Sequence, residues 1–148
     1  MIYEEILRNL APCGLNCKKC FAYNNGEIRK ASIVLQNLLG SFDIYAERFS
    51  SFLPKFKNYP SFKLLLSYLT EENCPGCREG SCLYPDCGVR DCYKNKKVDF
   101  CFQCNEFPCE NSNFDTHLKR RWIQMNNRMK EIGIESFYQE SGDNPRYK

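Results

Sequence analysis

The chain has 148 residues, 43% of them hydrophobic, with eleven cysteines and a formal net charge of +3. That size and composition fit one cysteine-rich domain over residues 1–148 with a modest core, and exclude wholesale disorder. No apolar run approaches the roughly 20 residues of a membrane span, and the opening M-I-Y-E-E-I-L-R-N-L has no apolar leader, so a cytoplasmic protein without a membrane partner is expected.

Ile2, Tyr3, Ile6, Leu7 and Leu10 fit one face of a short helix. Ala11-Pro12 ends it, because proline disfavours helical backbone in the residue before it. Cys13-x3-Cys17-x2-Cys20 follows at once, and Gly14 can take the positive φ that curls such a loop. After the Asn24-Asn25-Gly26 turn, Ile28, Ala31, Leu35, Leu38 and Leu39 predict a helix over 27–39, with Gly40 past its end. Ser41 or Asp43 caps a second helix, carrying Ile44, Tyr45, Phe49, Phe52 and Leu53 and ending at Pro54. A third opens at Asn58-Tyr59-Pro60 and presents Phe62, Leu65, Leu66 and Leu69. Residues 21–73 hold no cysteine and read as a helical insertion that packs by ordinary apolar burial, its aromatics as core rather than pocket.

Residues 74–109 differ. They hold eight cysteines and much Gly, Pro, Asn and Asp, without a sustained helical or strand period. So little apolar surface should not hold one conformation unaided. A structural zinc contributes on the order of 10 kcal/mol to small modules, so this metal-binding segment should be disordered without its ions. A long helix is predicted from about Phe114 to Ile132, capped by Asn113 or Asp115 and ended by Gly133. Its buried stripe is Leu118, Trp122, Met125, Met129 and Ile132. Ile134, Phe137 and Tyr138 suit a short final turn, so C-terminal helices occupy 110–140 and fraying follows. The fold class is therefore mainly α, a helical bundle-like core with an irregular, metal-stapled cysteine-rich segment.

In a reducing compartment, C-x-x-C pairs point to metal rather than disulfides, and an odd cysteine count pairs badly. Cys74-Pro75-Gly76-Cys77 is the strongest motif, since thiolates two residues apart fit one tetrahedral ion and the Pro-Gly turn aims backbone N–H groups at sulfur. Cys101-Phe102-Gln103-Cys104 is a second such pair. One partition joins these two pairs. Another joins Cys74 and Cys77 to Cys87 and Cys92, leaving Cys101, Cys104, Cys109, Cys13, Cys17 and Cys20; spacing leaves both open. Zinc is the favoured metal because dispersed C-x-x-C pairs are its usual ligands, and two Zn2+ ions are expected. Each four-thiolate site adds −2, moving the net charge from +3 to about −1 and removing the apparent basic character.

The triplet Cys13, Cys17, Cys20 raises a [4Fe–4S] alternative. Lys19 stands where radical enzymes using S-adenosylmethionine place an aromatic, and the helical pattern leaves no room for their βα barrel. That alternative is thus electron transfer or sensing. His117, the single histidine, could complete a Cys3His site but reads as a solvated first-turn residue. Cys82 and Cys87 lack a partner at C-x-x-C spacing, and either reads as a spare thiol.

The blocks L-A-P-C-G-L-N-C-K-K-C, C-P-G-C, C-G-V-R-D-C and F-C-F-Q-C-N-E-F-P-C, in that order, resemble a prokaryotic family described as domain of unknown function 3795. The closing E-I-G-I-E-S-F-Y is similar to that family's end. The resemblance implies Cys13, Cys17, Cys20, Cys74, Cys77, Cys87, Cys92, Cys101, Cys104 and Cys109 as metal ligands and leaves Cys82 and His117 outside the pattern. Residues between Asn24 and Asn73 read as this chain's own elaboration. The family carries no established activity.

No catalytic constellation is visible, so an enzyme is not expected. Cysteine-only ligation points to a zinc-binding interaction module with structural metal and a protein partner. The alternatives are the iron–sulfur protein and a nucleic-acid-binding zinc protein using Lys94, Lys96 and Lys97 beside Phe100 and Phe102. The charge correction makes a solvated loop the better reading of those lysines.

Overall fold

A computed structural model describes residues 2–80 and 82–148. The fold is mainly α, with seven helices and no strand among the described residues. They are α1 (Ile2–Asn9), α2 (Glu27–Leu39), α3 (Phe42–Phe49), α4 (Tyr59–Thr70), α5 (Val89–Lys96), α6 (Thr116–Ile132) and α7 (Ile134–Asp143). None of them is long and apolar enough to cross a membrane.

Helix α6 is the axis of the body. Its predicted cap forms, the Asp115 carboxylate accepting the Leu118 N–H at 2.9 Å, and Gly133 ends it at φ +85°. Of its predicted stripe, Trp122 and Met129 are buried while Leu118, Met125 and Ile132 are half-buried. Met129 joins Ile6, Leu10, Phe100 and Phe137 in one core cluster; Trp122 joins Ala11, Cys13, Cys17, Tyr23 and Val89 in another. With Phe137 buried, α7 extends the expected short turn to ten residues and carries helix past Glu140, where the sequence predicts fraying.

Between Trp122 and Met129 sits Asn126, fully enclosed. Its Nδ2 donates to the Cys13 and Trp122 carbonyls at 2.9 Å each, and its Oδ1 accepts the Phe102 N–H at 3.0 Å. One side chain thereby ties the first cysteine loop and the Cys101–Cys104 turn to α6. Gly14 supplies the close approach: at φ +97°, an added Cβ would stand 3.0–3.1 Å from Met129 and Met125.

The 74–109 segment is less irregular than its composition predicts, because it contains α5. The helix is positioned by a backbone contact rather than a broad apolar stripe. Gly88 N–H donates to the Ser112 carbonyl at 3.1 Å, and its Cα lies so near Asn111 that a Cβ would fall 1.7 Å from that carbonyl oxygen. Val89 is then buried, and Lys97 ends the helix in the left-handed region at φ +55°.

The 21–73 insertion departs from expectation in burial. α2 and α4 lie against each other, and Arg29 ties their base by donating to the Thr70 and Asn24 carbonyls at 2.9 and 3.1 Å. Within α2, α3 and α4, only Ser32, Ala46, Tyr59 and Leu66 are buried. The predicted stripe residues Leu35, Leu38, Phe62 and Leu65 are 40, 79, 42 and 66% exposed. Phe42 fills the small interior, with Phe49, Phe56 and Tyr59 at ring separations of 6.1, 5.6 and 5.2 Å. Three short helices make a single layer, and among the described residues nothing covers its other face. α3 also stops at Phe49, with no side-chain cap from Ser41; Pro54 opens a 3-10 turn, Pro54–Asn58, instead.

Candidate metal centres

The eleven cysteines are thiols, with Cys13, Cys17 and Cys74 buried. The two outer C-x-x-C pairs fold alike into 3-10 turns. Cys20 N–H donates to the Cys17 carbonyl at 2.9 Å, and Cys104 N–H to that of Cys101 at 3.0 Å. A polar side chain locks each turn: Asn16 Oδ1 accepts the Lys18 N–H at 3.0 Å, and Gln103 Oε1 accepts the Asp99 and Phe100 N–H groups at 2.9 Å each. The Cys74-Pro75-Gly76-Cys77 turn aims a backbone donor at sulfur, with Gly76 N 3.4 Å from Cys74 Sγ.

Chain reversal through the α2–α4 arm brings Cys74 back beside the first loop. Asn24 N–H donates to the Cys74 carbonyl at 2.8 Å, and the Cys74 N–H returns a bond to Asn24 Oδ1 at 3.0 Å. As a result Cys17, Cys20, Cys74, Cys77 and Cys82 line one hollow of about 290 Å³. Cys92, Cys101, Cys104 and Cys109 line a second cavity of about 30 Å³ beside Trp122, close to a single water molecule's share of liquid volume. Cys13 and Cys87 line neither; both pack in the apolar cluster around Trp122 and Val89 to which each hollow contributes. Neither sequence partition matches this grouping, since Cys74 and Cys77 face Cys17 and Cys20 rather than Cys101 and Cys104 or Cys87 and Cys92. Cys82, outside the family pattern, stands inside the first hollow. Only the odd thiol five residues after a C-x-x-C pair hinted at it.

Within the first hollow the Cys77 thiol, sharing its proton with its neighbours, is raised, while Cys17 and Cys82 beside it are lowered to about 7 and about 6. Burial pushes the Cys13 and Cys101 thiols up to about 12 and also raises Cys74, Cys87 and Cys92. Among the described residues, no three His, Cys, Asp or Glu side chains converge tightly enough to hold a metal ion as the chain stands.

The surroundings favour anionic sulfur. Arg146 reaches back from the C-terminal tail and lines the first hollow, half-buried, its Nη1 donating to the Asn16 carbonyl at 3.2 Å. It pairs with no carboxylate among the described residues. Burial opposes its charge, but the Cys20 and Cys13 thiols facing it carry the net shift upward. Beside it the Tyr147 hydroxyl accepts the Phe21 N–H at 3.0 Å and lies 3.9 Å from Cys20 Sγ. At the second cavity, Trp122 Nε1 is fully buried without a closed hydrogen bond. It faces the Cys101 thiol, where its N–H favours the thiolate. His117 is exposed on the first turn of α6 and lines neither hollow. Lys94, Lys96 and Lys97 are exposed, Lys96 pairing with Glu106 at 2.6 Å.

A family model described as protein of unknown function (DUF3795) matches residues 9–114, a span holding all eleven cysteines and the arm. The chain belongs to that DUF3795 family. The match stops short of α6, so Trp122, Asn126, Arg146 and the E-I-G-I-E-S-F-Y segment lie outside the DUF3795 region. No curated protein and no solved structure matches the chain.

Proposed function

We propose that this protein binds two zinc ions in structural roles, one at each thiol hollow, and serves as an interaction module. The observation that carries the reading is Arg146, a half-buried guanidinium set against thiols with no carboxylate among the described residues to balance it. A thiol with an ordinary pKa is largely neutral at pH 7, so a half-buried guanidinium counter-charge suits anionic sulfur, as metal-bound thiolates are. The donor chemistry agrees: soft sulfur in excess, backbone and indole N–H groups directed at it, and Glu106, which also lines the second cavity, engaged by Lys96. Four of Cys17, Cys20, Cys74, Cys77 and Cys82 would hold one ion, and Cys92, Cys101, Cys104 and Cys109 the other, after side-chain closure on the metal. Zinc supplies folding free energy there, while the chain shapes the hollows, supplies N–H donors and excludes water.

Elemental analysis tests this. Colourless protein should carry two zinc ions per chain, and Cys74→Ser with Cys77→Ser, or Cys101→Ser with Cys104→Ser, should each remove one. Protein that retains no metal after gentle purification overturns the proposal. Brown anaerobic protein absorbing near ~400 nm transfers the sites to an iron–sulfur cluster.

A further inference from the structure

The two thiol hollows are closed in different ways. The second is walled by α5, by the turns between 98 and 112, and by Trp122 of α6, so reaching its sulfurs means moving a helix or a core tryptophan. The first is the larger, about 290 Å³ against about 30 Å³, and one of its walls is the pair Arg146 and Tyr147. These two belong to the segment that leaves α7 in extended backbone at Asn144, with φ −116° and ψ 149°.

That segment is lightly fastened. Residues 144–148 make no backbone–backbone hydrogen bond with the body among the described residues. Arg121 Nη2 of α6 donates to the Arg146 carbonyl at 2.6 Å, and Arg146 Nη1 donates to the Asn16 carbonyl at 3.2 Å. The Tyr147 hydroxyl accepts the Phe21 N–H at 3.0 Å and points its own proton toward Cys20 Sγ at 3.9 Å. The Tyr147 ring meets that of Phe21 at 6.4 Å, yet the residue stands at the rim, 53% exposed. Such hydrogen bonds gain little over those made with water, and little apolar area is buried with them, so the segment is closed without being locked.

The sulfur count differs too. Five thiols line the first hollow and four the second, whereas a tetrahedral ion takes four. A fifth sulfur can step in as another ligand leaves, which suits an ion that is passed on one bond at a time.

We infer that residues 144–148 are a strap governing access to the first hollow, and that this makes it the exchangeable site of the two. An outside chelating ligand reaches its sulfurs, and takes or delivers zinc, when the strap lifts; the ion of the second hollow stays. The exchange rests on the zinc reading, the strap on geometry alone. No electron moves: each Zn–S bond that breaks is replaced by a bond from the chelator, and the freed thiolates take up protons from water. Loading favours closure, because four thiolates and Zn2+ leave −2 beside the Arg146 guanidinium, and emptying removes that attraction.

The test mixes full-length, zinc-loaded protein with excess pyridylazoresorcinol, whose colour counts released zinc. Release should come in two phases of one ion each. Arg121→Ala and Tyr147→Ala should each speed the faster phase about tenfold, the effect of one lost hydrogen bond, and leave the slower phase unchanged. Arg121 separates a strap from a simple counter-charge, since it lies outside the first hollow and holds only the Arg146 carbonyl. Tyr147, at the exposed rim, decides the matter should the Arg121 variant unsettle α6. Lys148→Gln removes a charge from the same segment but touches no wall of the first hollow, and should change nothing. Pulsed iodoacetamide labelling of protein as purified, mapped by peptide mass, needs no metal: Cys20 and Cys82 should react faster in both variants, Cys101 and Cys104 at the same rate. Two zinc ions leaving at rates indifferent to both variants, with labelling unchanged, overturn the inference and spare the zinc reading. Faster labelling in variants of a protein that carries no zinc upholds the strap and refutes the exchange along with the zinc reading.

Discussion

Replacing Asn126 by Ala should damage the protein far more than its size suggests. The side chain is wholly enclosed and serves three backbone groups, from Cys13, Trp122 and Phe102. The Trp122 carbonyl keeps its partner within α6, but the Cys13 carbonyl and the Phe102 N–H are left without one. An orphaned buried polar group costs about 1–3 kcal/mol. Allowing for half-burial of Phe102, the expected loss is about 2–4 kcal/mol, a large share of the 5–15 kcal/mol typical of a domain. Urea unfolding of zinc-loaded protein should show this as a lower midpoint at unchanged slope, with a Tm decrease on the order of 10 °C. The exposed neighbour Asn127 is the control, and Asn127→Ala should shift stability by less than about 0.5 kcal/mol. Equal, small shifts for the two variants would show that Asn126 does not join the first cysteine loop to the Cys101–Cys104 turn.

Gly88→Ala places a methyl group 1.7 Å from the Asn111 carbonyl oxygen, so α5 must withdraw. The variant should bind one zinc fewer, measured by elemental analysis, and unchanged stoichiometry would contradict the assigned approach. Burial, with the Asp99 carboxylate accepting its hydrogen bond at 2.7 Å, pushes the Tyr3 hydroxyl up to about 12 from its ordinary 10. Because the folded value is raised, its contribution is intact below pH 10 and fades as pH climbs from 10 toward 12. Absorbance titration should find a late-ionising tyrosine that disappears in Tyr3→Phe and ionises earlier in Asp99→Asn.

What the sequence shows and what it hides divide along physical lines. α2 is legible to the residue because its apolar positions recur at helical spacing and glycines bound it. α6 is legible because Asp115, Trp122, Met129 and Gly133 each do locally what their types favour. α5 is not, because it is held by the approach of Gly88 to Asn111 and Ser112, a contact across 23 residues of chain with no periodic trace. Nothing in the sequence marks Asn16 and Asn126 as buried, because their partners lie in α7 and in the cysteine turns. The grouping of thiols is hidden for the same reason. Cys74 meets Cys17 because the arm returns the chain to Asn24, and spacing along the sequence measures only local reach. The arm itself is legible as helices but not as an exposed face, since a stripe of leucines looks alike whether its cover belongs to this chain or to another.

That division bears on how the body is held together. Its aliphatic residues are few, with Ile6, Leu10 and Met129 the large ones fully buried, while the arm leaves Leu35, Leu38, Leu53, Leu64 and Leu65 exposed. Sulfur occupies positions that hydrocarbon fills in other proteins, so on the proposed zinc reading withdrawing the metal should loosen the body first. Trp122, the single tryptophan, reports on this. It is buried at 4.9 Å from the Phe107 ring and 5.8 Å from Phe114, both near edge-on, with its indole N–H toward Cys101. Phe107 and Cys101 also line the second cavity with it, and neither belongs to a long helix. Exhaustive chelation under reductant should therefore shift Trp122 emission to the red and abolish its near-ultraviolet dichroism, while much of the far-ultraviolet helical signal from α2, α4 and α6 persists. Restoring zinc should reverse both changes. Emission that stays blue in metal-free protein, with the dichroism intact, would mean that aromatic packing alone orders residues 101–114 and that the thiols there have some other use.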